Sequence, residues 1–77
     1  MPAFDALVVK TPTIEEAEEG KLEEKLYSER DIIAKDQESV GMSVLMEAQA
    51  ANPQVDGVAF NDLIKAGRIK VLVRPFM

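Results

Sequence analysis

Apolar residues recur at helical spacing through the middle of the chain. Read at roughly 3.6 residues per turn, Leu22, Leu26, Ile33, Val40, Val44 and Ala51 fall on one narrow face. The stretch Thr13–Asn52 is therefore predicted to be helical, with acidic residues over its other faces. Thr13, Ile14, Glu15 and Glu16 supply a capping box at its start, and the early acids Glu15, Glu16, Glu18 and Glu19 suit the positive end of a helix dipole. Gly20 and Gly41 each weaken such a helix by about 1 kcal/mol relative to alanine, and Ser28-Glu29-Arg30-Asp31 offers a fresh N-cap. The stretch reads as one rod or as two or three consecutive helices. Leu26, Ile33 and Val40 share a heptad position whose companion holds Glu29, Asp36 and Ser43, which argues against a coiled coil.

From Val40 to Ala51 the pattern turns apolar almost all round, which predicts a helix buried on more than one side. Asn52-Pro53 ends it, because the residue before proline is pushed out of helical geometry. Pro53–Gly57 reads as a loop and Val58–Ala66 as a short helix closed by Gly67 in a left-handed cap. The two ends alternate with a period of two instead. In Ala3–Lys10, Phe4, Ala6 and Val8 oppose Asp5, Leu7 and Val9; in Ile69–Arg74, Ile69, Val71 and Val73 oppose Lys70, Leu72 and Arg74, with Pro75 as the stop. Both are predicted strands sharing one sheet, and a two-stranded sheet must lean on the helices or be extended by another copy. The fold class is α+β: terminal strands, a central acidic helical segment with breaks, and a short helix before the last strand. Residues 1–77 are expected to form one small domain.

Composition sharpens this picture at two points. A chain of 77 residues buries only roughly 60–65% of its unfolded surface, and with no cysteine it lacks disulfides and thiolate metal sites; association with a partner is the support left. The net charge is −5, distributed as zero over residues 1–13, −6 over 14–38, −2 over 39–59 and +3 over 60–77. That balance disfavours unspecific contact with nucleic acid or anionic lipid. The amino terminus has no basic start or apolar run, and no stretch is apolar enough for a membrane span, so a cytoplasmic protein is expected.

Chemistry is sparse. Without histidine or cysteine the commonest base, metal ligand and thiol nucleophile are missing, and Gly20-Lys21 lacks the preceding glycine of a phosphate loop. No catalytic role, cofactor or metal is predicted. The acids from Glu15 to Glu24 are read as solvated helix surface in preference to a cation site. Glu15, Glu19 and Glu23 are instead candidate interaction charges. On the last strand Arg68, Lys70 and Arg74 make a basic stripe, able to fold over the acidic helix in one copy or to attract it in the next. Candidate apolar contacts are Val40, Val44, Leu45 and Met46, with Phe76 in a short tail. The function expected is a non-catalytic interaction or structural subunit whose protein partner is other copies of itself. Alternatives are an acidic inhibitor that imitates nucleic acid and a small accessory subunit of an enzyme complex.

Overall fold

The computed structural model describes residues 3–75. Along the chain run β1 (Ala3–Lys10), α1 (Ile14–Glu18), β2 (Glu24–Ile33), α2 (Gln37–Ala51), β3 (Gln54–Val55), β4 (Val58–Ala59), α3 (Phe60–Lys65) and β5 (Ile69–Pro75). The architecture is α+β, with a strand at each end and a short helix before the last strand, as the periodicity predicts. The terminal strands are antiparallel neighbours, with Asp5 opposite Arg74, Leu7 opposite Leu72 and Val9 opposite Lys70.

The correction falls in the middle. Residues 24–33 form not helix but a third strand, giving an antiparallel sheet ordered β2-β1-β5. The helical stripe was a coincidence of spacing: Leu22 and Ile33 are exposed, and Leu26 sits at a bulge in β2 where the register with β1 slips between Val8 and Val9. Tyr27, Ile32 and Ile33 are strand formers, and the register gives them partners in Val8, Phe4 and Ala3. Ser28 is therefore no cap. The N-cap of α2 is Asp36, whose carboxylate accepts from the Ser39 amide at 2.8 Å; Asp36 is held below its ordinary range first by that backbone bond.

Of the two glycines at which the helical stretch is expected to weaken, Gly20 makes a break and Gly41 does not. Gly20 ends α1: at φ +87° it is followed by Lys21, whose amide donates to the Glu16 carbonyl while the Gly20 amide donates to that of Ala17. Those two bonds are a Schellman closure. Gly41 breaks nothing, since α2 runs through it unbroken. The capping box at the start of α1 is present as predicted, with Thr13 and Glu16 bonding reciprocally.

Pro53–Gly57 is more ordered than a loop. β3 and β4 pair across Asp56-Gly57, both at positive φ, so α3 begins at Phe60 rather than Val58. Gly67 closes α3 as predicted: at φ +73° it donates to the Ile64 carbonyl and Arg68 donates to that of Leu63.

One face of the sheet makes the core. Phe4, Ala6 and Val8 of β1 meet Val40, Val44 and Ala48 of α2, with Phe60 and Leu63 of α3 and Val55 completing the cluster. Helix α2 lies across that face and is tied at both ends: Gln37 Nε2 donates to the Val73 carbonyl of edge strand β5 at 2.7 Å, and Asn52 Nδ2 to the Leu26 carbonyl of the opposite edge strand β2 at 3.0 Å. α2 is buried on that side alone, not on more than one side as predicted; Met42 and Met46 remain 70% and 69% exposed. The Cα radius of gyration, 13.3 Å, exceeds the roughly 11.5 Å of a compact domain of this length. The smallest extent is 16 Å, which accommodates one sheet and one helix layer.

Candidate docking surface

Alternation along β1 sends Asp5, Leu7 and Val9 away from α2, and the register lays their neighbours beside them in three rows. Ser28, Leu7 and Leu72 form the middle row; Lys25, Val9 and Lys70 lie on one side; Asp5 and Arg74 lie on the other, with Arg30 at the neighbouring bulge. None of the described helices packs over these rows: α2, which carries the contacts to β1, β2 and β5, lies on the opposite face. A hollow of about 520 Å³ opens there, bounded by Asp5, Leu7, Ser28, Arg30, Leu72 and Arg74. Leu72 is 42% exposed. Val9 is buried even so; the side chains placed next to it belong to Lys25 and Lys70, whose methylene stems can shelter an apolar neighbour.

This face is electrically unlike the rest of the molecule. Four of the chain's nine bases (Lys25, Arg30, Lys70, Arg74) and one of its fourteen acids (Asp5) lie on it, a local balance of +3, with Asp31 in the bulge at its margin. The remaining surface therefore carries −8 of the net −5. Asp5 and Arg74 form an ion pair at 3.6 Å, leaving Lys25, Arg30 and Lys70 without an acid partner among the described residues.

The second exposed apolar surface is the outer side of α2. Ser39, Met42, Ser43, Met46 and Ala50 lie there, all exposed, flanked by Glu38 and Glu47; the helix holds no base at all. The single proton of the Tyr27 hydroxyl is shared between two carboxylates, Glu47 at 2.7 Å and Glu29 at 2.9 Å. These bonds lower the Glu47 carboxyl and push the Tyr27 phenol well above its ordinary range, Glu47 being the larger cause for the tyrosine.

The candidate residues separate accordingly. Val40 and Val44 are core, 1% exposed, and present nothing to a partner; Leu45 is half-buried and Met46 exposed beside them. Phe76 lies outside the described residues. Lys70 and Arg74 share the open face, but Arg68 does not: it precedes β5, donates through Nε to the Thr11 carbonyl at 3.2 Å and pairs with Glu16. The basic tail thus reaches the acidic helix within one copy, through a single residue. Glu16 is held below the ordinary carboxylate range first by the Thr13 amide and then by Arg68 and Lys21. Glu15 stands exposed on α1 and Glu19 at its C-cap, while Glu23 lies beyond its end. The sequence pattern does not single out Leu7, Leu72, Lys25 or Arg30 as site residues. Leu7 and Leu72 were detectable, since adjacent antiparallel strands put them on matching faces; Lys25 and Arg30 were hidden in a segment read as helix.

A second hollow, about 260 Å³, lies between α1 and the β3–β4 turn. Its three cations are already engaged, Lys10 by Asp56 at 3.0 Å and Arg68 and Lys21 both by Glu16, so it is an ion-paired corner and not a vacant anion site. Among the described residues no group of three acids is placed to hold a metal ion, and no helix is long and apolar enough to cross a membrane. Neither protein-family models, nor curated proteins, nor solved structures give a match to this chain.

Proposed function

We propose that the chain is a non-catalytic interaction subunit that works by presenting the helix-free face of its sheet to a protein surface. One observation carries the reading: Leu7 and Leu72, opposite each other in the register, sit at the centre of an uncovered sheet face whose bases Lys25, Arg30 and Lys70 have no acid partner among the described residues. An antiparallel sheet can leave one face to water, but such a face alternates to polar residues. This one keeps leucine in its middle row.

Docking by face is favoured over pairing by edge. The edge strand β2 is bulged twice against β1, and both edges are touched by an α2 amide, which together discourage a further strand. Mimicry of nucleic acid receives less support, because the acids of residues 14–24 are spread over a helix of five residues, a following loop and the start of β2 instead of a continuous rod.

The test is the size of the native assembly. Tagged wild-type chain expressed in its own cells is expected to elute in gel filtration well above the 8.5 kDa of one chain, and Leu72→Glu to shift to the single-chain position with its denaturation midpoint retained. Wild type and variant eluting together contradict the reading.

A further inference from the structure

We infer that the occupant of the open sheet face is helix α2 of a second copy of this chain, so that copies stack head to tail. The inference rests on the docking-face reading above and names its partner. Three features of the molecule support it.

The first is charge. The open face has leucines flanked by Lys25, Lys70 and Arg30; the outer side of α2 has methionines and small residues flanked by Glu38 and Glu47, with no base on the helix. Two sheet faces laid together would set four bases against four, and two helix ridges would set acids against acids. Of these three pairings, the ridge of one copy on the face of the next is the one that brings opposite signs together, and this makes the contact heterologous.

The second is the composition of α2. Val40, Val44 and Ala48 already face the chain's own sheet, yet the opposite side still carries Met42 and Met46, each about 70% exposed. A helix apolar on both sides suits a position between two layers, and stacking supplies the second sheet. Ser39, Ser43 and Ala50 beside the methionines are small enough for close approach, while methionine adapts to an uneven surface.

The third is thickness. Each chain is one sheet and one helix deep, 16 Å in its smallest extent. Placing α2 of the next copy on the open face turns every sheet into one covered on both sides. In a stack, each copy uses α2 twice, inward on its own sheet and outward on its neighbour's. Such a contact closes into a ring only if the rotation between copies allows it, and otherwise grows as a filament.

Sedimentation velocity of the purified chain over a concentration series tests this. Wild type is expected to gain mass past the dimer as concentration rises, and to lose it in high salt. A ridge variant (Met42→Lys with Met46→Lys) and a face variant (Leu72→Glu) are each expected to stop growth. Mixed in equal amounts they are expected to form a species of two chains, since each retains one intact half of the contact. Lys70→Glu, an exposed charge reversal that leaves the leucines in place, is expected to weaken assembly in the same direction, and a denaturation midpoint for each variant establishes that it is folded.

A wild type that stays at one chain mass at high micromolar concentration overturns the self-assembly inference. If Leu72→Glu still breaks the native assembly, the docking face survives with a different occupant. A ridge variant that assembles like wild type, or mixed variants that remain single chains, overturns the head-to-tail arrangement.

Discussion

Gly41 occupies the second turn of α2, where an ordinary helical backbone gives glycine no advantage. A Cβ built there meets only Val73 Cγ2, at 3.9 Å, an ordinary contact. Gly41→Ala is expected to stabilise the chain by about 0.5–1 kcal/mol in urea unfolding, through backbone entropy alone; a loss of stability would mean that the approach of α2 to β5 is tighter than the structure has it. Gly67→Ala is the opposite case. Nothing lies within 4 Å of its Cβ position, yet its φ of +73° belongs to the left-handed region. The substitution is expected to cost about 1 kcal/mol in the same assay, and an unchanged midpoint would contradict the closure described for α3. The sequence exposed Gly67 and Gly20 unequally. Gly67 follows a short apolar run and precedes a strand, so its role was legible. Gly20 ends its helix by the same pair of bonds; the break was legible there, but the apolar spacing continuing beyond it hid that a strand and not another helix follows.

At the level of elements, the terminal strands, the capping box and the helix before β5 were readable because each is local: alternation, a four-residue motif, a glycine at the end. β2 was not. Its pattern depends on a partner, since an edge strand with two bulges loses the strict alternation that identifies a strand, and Leu22, Leu26 and Ile33 supply a helical spacing by accident. Asp36, three residues before Ser39, was the signal for where α2 truly starts. The two sides of α2 and α3 make different demands, which a pair of substitutions separates. Leu63→Ala, in the core at 2% exposure, is expected to cost about 2–5 kcal/mol, a large part of what a domain this small has. Met42→Ala, on the outer ridge, is expected to change stability by less than about 0.5 kcal/mol while weakening association in sedimentation. Equal effects of the two on the unfolding midpoint would contradict the placement of Leu63 in the core and of Met42 on an outer ridge.

For the whole molecule, charge is the organising quantity, and the terminal sum of +3 in the sequence pointed to it without locating it. The basic patch is a sheet face built from β2 and β5 together, and only tertiary pairing brings Lys25 and Arg30 beside Lys70 and Arg74. Acid should also destabilise the fold. Glu16, Asp36 and Glu47 are lowered in the folded chain, by the Thr13 amide, the Ser39 amide and the Tyr27 hydroxyl respectively. The unfolded chain therefore binds their protons more tightly. Their contribution is complete above the ordinary carboxylate range and drains as pH falls through the lowered folded values. Thermal midpoints are expected to hold between about pH 6 and 8 and to decline below about pH 5, the exposure of these groups keeping the slope shallow; a midpoint that rises toward pH 4 would contradict these assignments.

The claim on which the account rests is that another protein surface covers the sheet face opposite α2. Amine labelling reads this directly, because Lys25 and Lys70 lie on that face while Lys35 and Lys65 lie off it, and all four are exposed in the single chain. In native extract Lys25 and Lys70 are expected to label several-fold more slowly than in the purified, diluted chain, with Lys35 and Lys65 unchanged. Equal labelling of all four lysines in both states would contradict it.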